Sequence, residues 1–302
     1  MFSTVKVYPN GLTAGVTPSH HVTPSGLKAD VSGWSLNSSR SNTRFLYSVR
    51  AADLTGFGLA LSLTVRDCPE THEDWKKCRE ALLAQMRRLG MIRLHWLTEW
   101  QRRGVPHMHA AVWFPDPGAD LSDEDDAELE RQRLALTILA AWLRITAPYR
   151  SLQGSQTVAR ITDELGWLKY LSKHAARGAA HYQRAAAGIP KGWQKTGRMW
   201  GHRGDWPTDA PVSVDLVGWI TWFRFRRICR SYRLSQTRPR FSSRAKVRPH
   251  AVKAARRMLR CTDGNVAAFR GVSGWIPCAV AQRVLDHLKS QDLDGVSCLV
   301  VP

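Results

Sequence analysis

The chain has 302 residues, 43% of them hydrophobic, and its 44 Lys or Arg outnumber its 25 Asp or Glu, giving a formal charge of +19. That length and hydrophobic content suit a globular protein with one large or two modest cores. The charge points to polyanionic partners, nucleic acid first, and its clustering argues against a merely basic soluble protein or a membrane-surface binder. No apolar signal segment opens the chain, and no run approaches the roughly 20 apolar residues of a membrane span. Six cysteines lack C-x-x-C spacing and read as reduced thiols. A soluble cytoplasmic protein without membrane partners is expected.

Residues 1–45 are rich in Ser, Thr, Pro and Gly and read as a flexible arm holding at most a short strand near Val5 to Tyr8. Phe57 to Val65 alternates Leu59, Leu61, Leu63 and Val65 with small or polar residues, the pattern of a half-buried strand. Thr71 to Leu89 places Trp75, Cys78, Leu82, Met86 and Leu89 at helical spacing and stops at Gly90.

Leu94 to Phe114 reads as a β-hairpin whose two apolar runs flank Gln101-Arg102-Arg103-Gly104-Val105-Pro106. Alternation puts Met108, Ala110, Val112 and Phe114 toward a core and His107 and His109 away from it. A fold about Arg103 or Gly104 sets Glu99 opposite one of the two histidines, at roughly 5 Å. Two imidazoles and a carboxylate suit Mg²⁺ or Mn²⁺, and imidazole also accepts Zn²⁺ or Ni²⁺.

The acidic stretch from Asp116 to Glu130 reads as a solvated loop leading into a helix with a stripe of Leu134, Ile138, Ala141, Trp142 and Ile145. Ser155 to Ile161 is a short strand, and Thr162 or Asp163 caps the helix that carries Gly166 to His174. The first six elements give the order of a ferredoxin-like βαββαβ unit, an α+β fold with one sheet face left open. On the last helix Tyr170 and Lys173 are neighbours at i, i+3. A phenol is a weak nucleophile at its usual pKa near 10, but a metal-activated phosphate held in line makes it useful. Lys169 and His174 project elsewhere on the helix.

Lys191 to Trp206 mixes Trp, Gly and cations, suiting either stacking on unpaired bases or a Trp-anchored closing loop. Val214 to Arg233 reads as a helix. From Arg224 to Arg260 there are fourteen Arg or Lys and no acid, a run suited to phosphate contacts through Arg224, Arg226, Arg227 and Arg230. Val252 to Leu259 looks helical, and Ala267 to Val301 should close the chain with a small helix or strand pair.

The stretch from Pro106 to Val112, with Tyr170-Leu171-Ser172-Lys173 downstream and Phe57 to Thr64 upstream, resembles the ordered motifs of the HUH endonucleases. Within them it most resembles the rolling-circle replication initiators of filamentous phages and plasmids. The resemblance implies an HUH nuclease fold over residues 46–206, followed by a basic, mostly helical DNA-binding region at 207–302. It implies that Glu99, His107 and His109 hold one metal while Tyr170, assisted by Lys173, nicks single-stranded DNA or an origin hairpin. The 5′-phosphotyrosine link and free 3′-OH that result imply a host polymerase as partner. No P-loop motif is present, so a host helicase is expected as well. Arg102, Arg103, Lys169 and His174 are expected to touch the DNA in the bacterial cytoplasm. Gly166 stands four residues before Tyr170, where some phage initiators carry a second tyrosine. An HUH transposase or relaxase, and a non-catalytic single-stranded nucleic-acid-binding protein, are the alternatives.

Overall fold

The computed structural model describes residues 2–16, 33–176, 183, 188–236, 271–291 and 300–301, with backbone alone at 2, 16, 36, 173–176 and 300–301. It is an α+β protein with two antiparallel sheets and, among the described residues, six α-helices. The chain divides into two compact units, one formed by 1–24, 47–50 and 208–302 and the other by 25–46 and 51–207. No described helix is long and apolar enough to cross a membrane.

The first unit opens with β1 (Phe2–Val7) and β2 (Leu12–Val16). These residues were expected to belong to a flexible arm, and the structure corrects that expectation. Val5, Val7 and Leu12 are buried in an apolar core, and Tyr8 N–H donates to Gly11 C=O at 2.8 Å to close the turn. The order comes from distant pairing, because β1 lies against a strand more than 200 residues later, from Phe2↔Val217 to Val7↔Val212. Composition near the N-terminus carries no trace of such a partner.

The second unit begins with α1 (Leu36–Ser48), whose last two residues belong to the first, and continues through β3 (Phe57–Thr64) and α2 (His72–Arg88). Next come β4 (Arg93–Trp100), β5 (Pro106–Phe114), α3 (Glu124–Ile145), β6 (Thr157–Arg160), α4 (Glu164–Ala176) and β7 (Trp200–Gly204). Its sheet runs β6-β3-β5-β4-β7 with every neighbouring pair antiparallel. Thr71 caps α2 by accepting from Asp74 N–H at 3.2 Å, and Asp123 caps α3 by accepting from Asp125 and Asp126. Both helices bury tryptophans against one sheet face. Trp75 and Trp142 meet edge to face at 5.7 Å, while their indole N–H groups donate to Thr98 Oγ1 and Thr64 C=O. Those bonds satisfy the polar ends of two otherwise apolar rings.

Residues 191–206 settle into packing. Trp193 and Trp206 are buried, Trp193 Nε1 donates to Pro69 C=O at 2.8 Å, and β7 extends the sheet beside β4.

The rest of the first unit is β8 (Val212–Val217), α5 (Trp219–Ser235), β9 (Val272–Gly274), α6 (Cys278–Ser290) and β10 (Val300–Val301), with sheet order β10-β8-β1-β2-β9. The expected helix from Val214 therefore starts only at Trp219. Val214 and Leu216 alternate with Ser213 and Asp215, a period of two, and Gly218 at φ 86° makes the break. The expected helix at Val252 to Leu259 lies outside the described residues.

Candidate active site

The β4–β5 connection is a three-residue loop. Gly104 N–H donates to Gln101 C=O at 2.9 Å, Gln101 N–H donates to Val105 C=O at 3.0 Å, and Gly104 takes φ 75°, the left-handed position such loops need. This loop fixes the register as Glu99↔His107 and Leu97↔His109. On the other side of β5, Thr64 faces His107 and Ser62 faces His109. Glu99, His107, His109, Ser62 and Thr64 therefore share one sheet face, opposite the face covered by α2 and α3.

The two imidazoles lie 4.4 Å apart between ring centroids, at 84°. Ser62 Oγ lies 2.8 Å from Nδ1 of His109. When Ser62 accepts from Nδ1–H, the Nε2 lone pair of His109 faces the site, which is how an outer partner sets the tautomer of a metal ligand. Gln101 Nε2 lies 3.3 Å from Nδ1 of His107. His109 is 4% exposed and Glu99 is fully buried, whereas His107 and Tyr170 are half-exposed. A buried carboxylate has a strong electrostatic demand for a cation or donors.

Tyr170 comes from α4. Asp163 caps that helix by accepting from Gly166 N–H at 2.7 Å, and a Cβ on Gly166 would stand 2.1 Å from the Asp163 carboxylate. A side chain at 166 therefore competes with the cap. Trp167 stacks on Tyr170 at 4.8 Å and 20°, and Tyr170 meets His109 edge to face at 5.3 Å. The sheet face thus gathers two imidazoles and a phenol, with a buried carboxylate one pair away.

The donor types and the shared face fit a divalent cation held by His107 and His109. Among the described residues, however, no three His, Cys, Asp or Glu side chains stand close enough together to hold a metal ion, so the third position of the expected Glu99 triad is supported by register alone.

The other predicted residues divide. Lys169 is exposed on α4 and Arg102 at the tip of the hairpin loop. The side chains of Lys173 and His174 lie outside the described residues. Arg103 donates to Val65 and Arg66 C=O and to Gln101 Oε1, so it clamps the hairpin to the end of β3. In the first unit Arg224 and Arg227 are exposed and Arg230 is half-buried. Arg226 is only 2% exposed, with its guanidinium 5.8 Å from the Trp222 ring centroid and 5.6 Å from that of Phe223. The expectation that Arg226 meets DNA is corrected by helical spacing, which puts it on the inward stripe with Trp222 and Cys229. Ser62 and Gln101 were missed as partners of the histidines. The signal for Ser62 was its place in the period-two set that faces them.

At the far end of the same face, His95 is fully buried and its Nε2 lies 2.7 Å from Asn42 Oδ1. Phe45 stacks on His95 at 5.7 Å and on His202 at 3.9 Å. Burial, with some repulsion from His202, pushes the His95 pKa down to about 3, which marks it as a neutral packing residue.

The model of the replication-associated protein family named for ORF2 and the phage gene II protein matches residues 58–175, from β3 through α4. The replication-associated gene II protein of Pseudomonas phage Pf3 is 41% identical over 269 residues, covering 89% of this chain and 90% of the phage protein. This chain belongs to the replication-associated ORF2/gene II protein family. A protein of Xylella fastidiosa strain 9a5c, provisionally named a replication protein, resembles this ORF2/gene II member at 43% identity over 285 residues, 91% of this chain and 93% of the relative. A like-named protein of Xylella fastidiosa strain Temecula1 is 43% identical over 280 residues, 90% and 98% of the two chains. No solved structure matches. The stretch that matches the ORF2/gene II model contains Glu99, His107, His109, Tyr170 and Lys173.

Proposed function

We propose that the protein initiates rolling-circle replication of a phage or plasmid by nicking one DNA strand through Tyr170 and later rejoining it. The observation that carries this reading is the phenol of Tyr170 set 5.3 Å from His109, beside His107, in a chain whose relatives carry replication names. The strand order β6-β3-β5-β4, with α2 linking β3 to β4 and α3 linking β5 to β6, supports the ferredoxin-like core that HUH nucleases use.

The Tyr170 oxygen attacks a backbone phosphorus, a P–O bond to it forms, and the P–O3′ bond breaks. The phenol loses its proton and the leaving 3′ oxygen gains one. The phosphodiester is exchanged, so reversal joins ends without ATP. His107, His109 and Glu99 would hold Mg²⁺ or Mn²⁺, which supplies an electrophilic phosphorus. Trp167 fixes the phenol ring by stacking, and Ser62 fixes His109. Lys173 places positive charge at the phosphate. Arg102, Lys169, Arg224 and Arg227 provide phosphate contacts that add affinity without reading sequence. Single-stranded DNA, a host helicase and a host polymerase are the partners this chemistry requires.

The deciding experiment mixes the protein with Mn²⁺ and single-stranded DNA of its own replicon and reads a denaturing gel. A band that resists SDS, absent in Tyr170→Phe and in His107→Ala/His109→Ala, is expected. Metal-independent DNA binding with no adduct or nick would overturn the nicking reading in favour of a binding protein.

A further inference from the structure

Beside His107 lies a half-open cleft of about 280 Å³ that the nicking chemistry leaves unused. Thr64 and Arg66 at the end of β3, Gln101 and Arg103 of the hairpin loop, and Ser155 and Gln156 ahead of β6 line it, with Leu152 as an apolar wall. Thr64 is the register partner of His107 and Gln101 contacts the His107 ring, so the cleft adjoins the catalytic face directly.

Its walls are held in place. Gln156 Oε1 accepts from Thr64 N–H at 2.8 Å and its Nε2 donates to Leu152 C=O at 2.9 Å. Gln101 Oε1 accepts from Arg103 Nε at 2.8 Å. A primary amide has two N–H groups and an oxygen with two lone pairs. After these bonds each glutamine retains a second N–H and a second lone pair. A side-chain amide offering a donor beside an acceptor is the arrangement that reads the edge of a nucleobase. Leu152, 53% exposed, offers an apolar surface to a ring face, and the exposed Arg66 offers charge to an adjoining phosphate. The volume is at the small end of ligand sites, which begin at about 300 Å³. It suits one unpaired base and excludes a duplex.

We propose that this cleft seats one unpaired nucleobase of the DNA strand next to the scissile phosphate and confers a base preference at that position. The assignment of a scissile phosphate rests on the nicking reading above; the base site itself does not.

The test is a randomised single-stranded DNA pool offered to the full chain, with two readouts: sequences retained in EDTA, and sequences captured in SDS-resistant adducts with Mn²⁺. The wild type should favour one base at one position by about tenfold over the worst base, the discrimination of a good amide–base contact. Ser155→Trp, which fills the cleft, should erase that preference. Leu152→Asp, at an exposed position, should erase it too and keeps the test decisive where the tryptophan prevents folding. Arg66→Ala should weaken retention evenly across sequences and keep the preference. A wild-type pool without any single-position preference, or a preference unchanged in folded Ser155→Trp or Leu152→Asp, would sink the proposal. Loss of adducts alone, with the EDTA preference intact and cleft-dependent, would instead remove the nicking reading and leave the base site standing.

Discussion

The hydroxyl of Ser62 on β3 lies 2.8 Å from Nδ1 of His109 on β5, so a neighbouring strand controls the proton on one imidazole of the site. Ser62→Ala removes that control without opening space in a core. Mn²⁺ affinity, measured by titrating adduct formation and independently by displacement of bound Mn²⁺, should fall about 10- to 100-fold, the usual cost of losing an outer partner of a metal-binding histidine. Ser62→Thr, which keeps a hydroxyl, should recover most of it. An alanine variant with unchanged metal affinity would show that the bond orients nothing.

Trp167 holds the Tyr170 ring by stacking rather than by hydrogen bonding. Such pairs contribute about 0.5–1.5 kcal/mol. Trp167→Ala should therefore slow single-turnover adduct formation by up to about tenfold, with DNA affinity little changed, and Trp167→Phe should restore part of the rate. Equal losses in both variants would mean that the stack does not position the phenol.

Asp163 closes the first turn of the helix that carries Tyr170. Its removal in Asp163→Ala should lower stability by about 1 kcal/mol, and hydrogen exchange should show the loss concentrated at Gly166 and Trp167. A global loss with no local signature would place the effect elsewhere. Gly166→Tyr, which would recreate a two-tyrosine helix, has to displace the same cap and should cost a similar amount.

His95 gives the protein an acid sensitivity of known sign. Its pKa is held at about 3 in the folded chain against about 6.5 when unfolded. Between these values the unfolded chain binds the extra proton, so the stabilisation is complete above pH 6.5 and is lost progressively as pH falls toward 3. At pH 5 the loss from this group is about 2 kcal/mol. Urea midpoints at pH 7 and pH 5 should therefore differ less in His95→Gln than in the wild type. Equal differences would remove His95 as the source.

Much of the second unit was legible because its signals are local. The period-two run of β3, the stripes of α2 and α3, and the Gly-containing loop after Trp100 each announce an element. Counting outward from Gly104 put Glu99 opposite one of the histidines, and the register shows that it is His107. What stayed hidden depends on distant partners. β1 and β8 order each other across most of the chain, so one looked like an arm and the other like the start of a helix. Arg103 and Arg226 illustrate the same limit at single residues. Each is a cation in a basic sequence, yet one clamps backbone carbonyls and the other is buried beside Trp222. Composition reports charge without saying what covers it.

The pairing of Thr4 with Asp215, 211 residues away and hydrogen-bonded at 2.7 Å, sets a timetable for biosynthesis. At about 5–20 residues per second, a ribosome releases the β1–β2 hairpin roughly 10–40 s before β8 emerges to meet it. Meanwhile the residues of the second unit between 51 and 207 are delivered in one uninterrupted stretch. The nascent chain thus carries an unpaired strand edge, a template for mispairing, while the segment that bears Tyr170 is already complete.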